Sequence, residues 1–169
     1  MTNPPIPQTI ATIHKRCLYS LADFTRQQQL PKIADVRVRP QYSEEALSFP
    51  CVVWTYEGGQ EKPADSQCWE TVDAWYPCRC YVCHRVETGN DALAETVIGW
   101  RATLIAALMH LQTLENVPEC GDLQIEYGVV IDPKLPQYQT VIGAFTVQCL
   151  CRYVKAAEDN VVQNGPSLQ

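Results

Sequence analysis

The order in which helical and strand-like patterns follow one another constrains the fold of this chain more than any single motif. Two segments carry apolar residues at three- and four-residue steps, as amphipathic helices do. They are Gln8–Gln29 and Asp91–Leu114. Three alternating or β-branched segments lie between these helices, and two more follow the second helix. These strand segments are Val36–Arg39, Cys51–Tyr56, Ala74–Val86, Leu123–Ile131 and Thr140–Val154.

This pattern predicts the order α-β-β-β-α-β-β. Because the strands follow one another in hairpin-compatible runs, it favours an α+β fold, with a mostly antiparallel sheet and both helices packed on one face. A length of 169 residues suits one domain, which we expect over residues 1–155. Residues 156–169 are polar and contain Asn164-Gly165-Pro166, so we expect a flexible C-terminal tail there.

Composition and charge narrow the classes of function. Hydrophobic residues make up 46% of the chain and charged residues 19%, which is a globular composition. A net charge of −6 argues against a general binder of nucleic-acid phosphates. No apolar run reaches the roughly 20 residues that a membrane span needs, and the first residues lack the pattern of a secretory signal. We therefore expect a protein that begins in a cytoplasm and has no membrane partner.

Nine cysteines are the unusual part of the composition. Because cytosolic thiols stay reduced, we predict small buried apolar side chains rather than disulfides. The string Cys80-Tyr81-Val82-Cys83-His84 matches the C-x-x-C-H pattern of covalent haem attachment. Two observations count against haem: no export signal precedes the string, and Cys80 and Cys83 would point to opposite faces of a strand.

A zinc site is a second alternative for these thiols. The cysteines of two C-x-C pairs could lie together on the inner face of neighbouring strands. They are Cys78, Cys80, Cys149 and Cys151. Core packing is favoured over zinc, because a strand lacks the turn that usually wraps the ion and because free cysteine is often buried. We assign no metal or cofactor, and a metal- or haem-binding module at Cys78–His84 remains the alternative class of function.

No motif of a common enzyme class occurs in the sequence. The chain contains no dinucleotide fingerprint, P-loop, nucleophile elbow or H-E-x-x-H motif. None of its three histidines has an activating neighbour in the sequence. We therefore predict that the protein is not an enzyme and assign no catalytic residue, with a small hydrolytic or thiol enzyme as a third class of function.

Aromatic and arginine side chains give the candidates for a partner interface. A two-layer fold leaves one sheet face uncovered, and interfaces are enriched in Trp, Tyr and Arg. Three of the aromatics flank or lie in the polar segment Gln60–Thr71, which we predict to be an exposed loop. The arginines alternate outward on strands predicted to be adjacent. The candidate interface residues are Arg37, Arg39, Trp69, Trp75, Tyr76, Arg79 and Arg85.

The order of elements resembles that of the tail-terminator, or tail-to-head joining, proteins of long-tailed bacteriophages. Those are small α+β proteins with a helix, a β-hairpin, a third strand, a second helix and two closing strands. The resemblance is topological and covers about residues 8–155. The segments that carry it are Gln8–Gln29, Val36–Pro40, Pro50–Thr55, Trp75–Val86, Asp91–Leu114 and Leu123–Tyr153.

This resemblance implies a structural virion protein. Proteins of that family form hexameric rings that cap the polymerised tail tube and join it to the head. The implied partners are copies of the same chain, a tail tube protein and a head-completion or neck protein, in the virion and, during assembly, in the host cytoplasm. Genome DNA would pass through the ring without specific binding, as an acidic balance favours. Another neck or tail-completion connector subunit is the alternative within this class.

Overall fold

Two helices and six strands form the described part of the computed structural model, which comprises residues 10–65, 68–87, 89, 92–128, 130 and 140–154. The helices are α1 (Ile10–Gln27) and α2 (Leu93–Met109). The strands are β1 (Asp35–Arg39), β2 (Cys51–Tyr56), β3 (Gln60–Asp65), β4 (Cys68–Arg85), β5 (Cys120–Glu126) and β6 (Thr140–Val154). The predicted α+β class is confirmed, and the predicted elements occur in the predicted order, with β3 as one additional strand.

The described strands form one sheet in the order β1-β2-β4-β6-β5, and β3 also pairs with β4. Its centre is the long antiparallel pair of β4 and β6, in which Thr71 lies opposite Val154 and Arg85 lies opposite Thr140. β2 and β3 share the other edge of β4. Among these strands, only β1 and β2 pair in parallel. The sheet is therefore mostly antiparallel, as predicted.

The prediction of an exposed loop at Gln60–Thr71 is wrong. Residues 60–65 form β3, and residues 68–71 already belong to β4. The two strands pair antiparallel, with Lys62 opposite Asp73 and Pro63 opposite Val72. β3 lies at the edge of the sheet, where polar residues and proline are tolerated because one side of the strand pairs with no other strand. Its composition therefore resembles that of a loop.

Both helices pack on one face of the sheet, and the main core lies between the two layers. Its largest fully buried side chains include Trp54, Tyr76 and Phe145. The rings of Trp54 and Phe145 meet edge to face, with centroids 5.8 Å apart, near the middle of the sheet. The helices cover them with Ile13, Cys17, Leu18 and Leu21 from α1 and with Val97, Leu104, Ile105 and Leu108 from α2.

A smaller cluster lies on the opposite face of the sheet. Its buried members are Cys51, Val53, Cys83 and Ile142. The segment between the parallel strands β1 and β2 supplies Tyr42, Leu47 and Phe49, which pack against this cluster beside Tyr81 of β4. This outer face is therefore partly covered by the connection from β1 to β2 and is not left open, as a simple two-layer fold would leave it.

The element boundaries differ from the predicted ones mainly around β5. Helix α2 ends at Met109 rather than near Leu114, and β5 ends at Glu126 rather than near Ile131. The expected C-terminal tail at residues 156–169 lies outside the described residues. Within the described residues, no helix is both long and apolar enough to span a membrane.

Candidate functional site

The two β1 arginines of the predicted interface lie on the outer face of the sheet, and both have partners within the chain. Arg37 is exposed, and its Nε lies 2.8 Å from Oδ2 of Asp35. Arg39 donates a hydrogen bond of 2.5 Å to the backbone carbonyl of Glu45, in the connection from β1 to β2. An exposed ion pair such as that of Arg37 adds little to stability, so this contact does not prevent the guanidinium group from meeting a partner.

The two β4 arginines lie on the same outer face. Arg79 is two strands from Arg39, because both residues pair with Thr55 of β2. Its Nη1 lies 2.8 Å from Oε1 of Glu57. Arg85 lies over the ring of Phe49, 5.0 Å from the ring centroid. The structure therefore brings the predicted arginines onto one face but engages each of them locally.

The predicted aromatic group does not form one surface. Trp75 is half-buried, and Nζ of Lys62 lies 4.8 Å from its ring centroid. Tyr76 is 1% exposed and belongs to the main core, because successive strand residues point to opposite faces. Its hydroxyl donates a 2.7 Å hydrogen bond to Glu61. Tyr76 is therefore a core residue in this chain, and the side chain of Trp69 lies outside the described residues.

The outward side of α2 is a surface that sequence reasoning missed. Among its described exposed residues, only Glu95 carries a charge. The others include Ile98, Gly99, Ala102, Thr103, Ala106 and Met109. Beside the helix, the Tyr127 hydroxyl lies 3.5 Å from Sδ of Met109, and Tyr127 is 53% exposed. We call these six helix residues and Tyr127 the α2 outer surface.

The other charged residue of α2, Arg101, points toward the sheet. Arg101 is 6% exposed, and its Nε donates a 2.8 Å hydrogen bond to the carbonyl of Ala144 on β6. One of its Nη atoms donates to the carbonyl of Tyr127. Burial lowers the pKa of Arg101 from its ordinary value, yet arginine stays protonated in proteins. The buried cation therefore joins α2 to β6 and to the chain that follows β5.

Close approach of this guanidinium requires a glycine on β6. A Cβ on Gly143 would lie 3.2 Å from Cδ of Arg101 and 2.9 Å from the carbonyl oxygen of Val130. Contacts that short need movement of the backbone or of the arginine stem. Because Gly143 has no side chain, α2, β6 and the chain after β5 can approach one another at this point.

The predicted haem and zinc arrangements can be compared directly with the structure. Cys80 lies in the main core and Cys83 in the smaller cluster, so the two thiols of the C-x-x-C-H string face opposite sides of the sheet, as expected. Of the suggested zinc set, Cys78 and Cys149 are in contact, with their Sγ atoms 4.0 Å apart. The buried thiol of Cys80 interacts instead with the charge of Arg101, and its pKa is raised by burial.

The thiols close to Cys149 come partly from elements that sequence reasoning did not connect. The Sγ atoms of Cys17 on α1 and Cys151 on β6 are 3.9 Å apart. Cys120, at the start of β5, lies opposite Cys151 in the sheet. Among the described residues, no group of three or more His, Cys, Asp and Glu side chains is already arranged as a metal site.

Comparison with models of protein families found no match, and a search of curated proteins found no similar sequence. The function is therefore inferred from the fold and from the surfaces that it presents.

Proposed function

We propose that this chain is a structural virion protein of a tailed bacteriophage, a tail terminator whose copies close into a ring between the tail tube and the neck. The fold supports this with the element order of the resemblance and with both helices on one face of a mostly antiparallel sheet. It departs from the resemblance at the first two strands, because β1 and β2 pair in parallel where the family has a β-hairpin, and in the additional strand β3. The observation that carries the proposal is the uncharged α2 outer surface.

An apolar helix surface facing water needs an explanation. A helix that is hydrophobic on every side is normally buried on every side, and an ordinary surface helix carries charged residues on its outer side. The inner side of α2 packs on β4 and β6, but Ile98 and Met109 on its outer side are 37% and 63% exposed. Contiguous apolar patches on soluble chains often mark sites of association. We therefore expect another protein surface to cover this side of α2.

A second copy of the same chain is the occupant that the proposal requires. If α2 of one copy meets a different surface of the next copy, the contact is head-to-tail, and repeated rotation closes a ring. The described sheet also has three edge strands, β1, β3 and β5, each with one side that pairs with no other described strand and can meet a neighbour. A contact of α2 with α2 would instead give a two-fold dimer.

The charge of the chain is compatible with a ring around DNA. A net charge of −6 limits the electrostatic attraction of the duplex, so DNA could move through the opening without being held. The arginines described above are paired with carboxylates, bonded to a backbone carbonyl or stacked on an aromatic ring. No catalytic step is part of this proposal.

Electron microscopy and mass measurement of the purified full chain test the proposal. The chain is studied alone and mixed with polymerised tail tubes of the same phage. We expect closed rings, hexameric by resemblance to the family, and rings seated at one end of the tubes. Rings that bind a neck protein but never a tube end would favour another connector subunit. Single copies under every condition, with tube ends uncapped, would overturn the proposal.

A further inference from the structure

One row of side chains crosses the outer face of the sheet, away from the smaller buried cluster. Trp75 of β4 lies opposite Gln60 of β3 on one side and opposite Leu150 of β6 on the other. Leu150 in turn lies opposite Asp122 of β5. Because Tyr76, the chain neighbour of Trp75, belongs to the main core, the row points away from both helices. We call Gln60, Trp75, Leu150 and Asp122 the Trp75 row.

The two apolar residues of the Trp75 row are partly exposed. Trp75 and Leu150 are half-buried, and two grooves meet at Trp75, which lines both. One groove, of about 570 Å³, is lined in part by Lys62 and Gln148, and the other, of about 450 Å³, by Leu150 and Arg152. Both helices lie on the opposite face, and the β1–β2 connection packs on the smaller cluster. The described elements therefore leave this row without a covering layer.

The α2 outer surface matches the Trp75 row in length. The row crosses four strands, and neighbouring strands lie about 4.8 Å apart, so it spans about 14 Å. The helical part of the α2 outer surface, from Ile98 to Met109, rises about 16 Å. A helix laid across the row therefore reaches from β3 to β5. Packing of a helix on a sheet is a common way to bury the apolar side of each.

Charge complementarity indicates which end of α2 would lie at β3. Glu95, the one charged residue among the described exposed residues of α2, lies in the first turn of the helix. On β3, exposed Lys62 has its Nζ 4.8 Å from the ring centroid of Trp75, whereas β5 carries exposed Asp122 at the other end of the row. Attraction to Lys62 and repulsion from Asp122 would place Glu95 beside β3. Contact of α2 with α2 offers Glu95 no such partner, because the only basic residue of that helix is the buried Arg101.

We propose that the α2 outer surface of one copy docks on the Trp75 row of the next copy. The inference rests on the proposed ring and assigns the second surface of its head-to-tail contact. Helix α2 and the Trp75 row lie on opposite sides of the sheet, so one copy can contact two neighbours at once. Each copy then gives α2 to one neighbour and receives α2 from the other, which is the arrangement of a closed ring.

Two variants of the full chain, each with one damaged surface, test this assignment. Trp75→Ala removes the central aromatic side chain of the row, and Ala106→Glu adds a charge to the α2 outer surface. Loss of an aromatic anchor should weaken each contact by about 30-fold or more, so we expect neither variant to form rings alone. Each variant keeps the surface that the other lacks. An equimolar mixture should therefore give pairs of chains and nothing larger when its mass is measured.

Tyr81→Ala provides a matched control for the loss of an aromatic ring. Tyr81 is another half-buried aromatic on the outer side of β4, but its ring meets that of Tyr42, with centroids 4.9 Å apart. Its loss should leave the ring of copies intact. An exchange of charge tests the orientation without removing an apolar contact. Lys62→Glu and Glu95→Lys should each weaken the ring, and both substitutions in one chain should restore it.

The mass of the unsubstituted chain is measured first. If that chain stays single, alone and with tail tubes, the proposed ring and this assignment both fail. If it forms rings, their persistence in Trp75→Ala, variant mixtures that stay single, or ring loss in folded Tyr81→Ala would overturn the docking assignment and leave the proposed ring standing. If Trp75→Ala does not fold, the charge exchange decides. Restored rings in the double variant support the assignment, and their continued absence overturns it.

Discussion

The two helices lie side by side on the same sheet face but differ in what they show to solvent. On α1, the exposed residues include Lys15, Asp23 and Arg26, so that helix has an ordinary solvated side. On α2, the exposed residues include one charge, that of Glu95. Both helices cover the same core, and packing on the sheet therefore does not explain the difference. The proposed ring would account for this difference, because it covers α2, and not α1, with a neighbouring copy.

The helices also bury a basic side chain in two different ways. His14 of α1 is 5% exposed, and its Nε2 donates a 2.9 Å hydrogen bond to the carbonyl of Pro77. Burial lowers the pKa of His14, so the ring is neutral near pH 7. Arg101 of α2 keeps its charge and needs two backbone carbonyls. The free-energy cost of burying a basic side chain is therefore avoided in α1 by loss of the charge and offset in α2 by hydrogen bonds.

The largest effects on stability are expected where the two helices are alike. Leu21 on α1 and Leu104 on α2 are both fully buried. Truncation of either to alanine removes apolar contact and leaves a cavity, which costs about 2–5 kcal/mol of unfolding free energy. Urea unfolding of Leu21→Ala and Leu104→Ala measures this. A loss below about 1 kcal/mol in only one variant would show that this helix is not part of a common core.

Replacement of the buried Arg101 of α2 should cause a somewhat smaller loss of unfolding free energy. Arg101→Met keeps an apolar stem but leaves the carbonyls of Ala144 and Tyr127 without this donor. Unsatisfied buried acceptors cost about 1–3 kcal/mol each, and solvent reaching Tyr127 reduces that cost. The unfolding free energy of Arg101→Met is compared with that of Arg101→Lys, which can satisfy one carbonyl. Equal stability of Arg101→Met and the unsubstituted chain would contradict this role.

The buried histidine of α1 should make the unfolding free energy depend on pH, an effect that the buried arginine of α2 does not have. The pKa of His14 in the fold lies below its ordinary value of 6.5, so the unfolded chain binds more protons between the two values. The contribution to stability is therefore complete above pH 6.5 and is lost as the pH falls through the folded-state pKa. His14 faces the rings of Tyr56 and Tyr76, which are uncharged in this range.

Urea unfolding at about pH 7.5 and about pH 5.5 measures this dependence, because the two values lie on either side of the ordinary histidine pKa. We expect the unsubstituted chain to lose more stability on acidification than His14→Gln. The same slope in His14→Gln would show that other groups cause the effect.

The fold was largely predictable because apolar residues recur in its main strands and helices at the spacing typical of each element. The span predicted for β6, Thr140–Val154, is the observed one, since alternation there continues over a long paired strand. β3 was missed because an edge strand needs no apolar alternation, and Pro63 resembles a loop residue. Local periodicity therefore identifies elements that bury a face and fails for those that add only backbone pairing.

The candidate surfaces were harder to predict because they depend on which elements become neighbours. The sequence shows that Cys149 and Cys151 share a face, but not that Cys17 and Cys120 approach them. The α2 outer surface had a visible signal, since only Glu95 and Arg101 are charged between Leu93 and Met109. The apolar steps of this segment indicate only an amphipathic helix, because the sequence does not show that Arg101 points inward.

Two variants, each with one added charge on a different helix, test most directly whether α2 forms the contact between copies in the proposed ring. Ala106→Glu adds a carboxylate to the α2 outer surface, and Gln27→Glu adds the same group to an exposed position of α1. Exposed substitutions change unfolding free energy by about 0.5 kcal/mol or less, so both chains should fold. We predict that Ala106→Glu has the mass of a single chain, while Gln27→Glu forms the same ring as the unsubstituted protein. Rings of unchanged mass in Ala106→Glu would contradict the account.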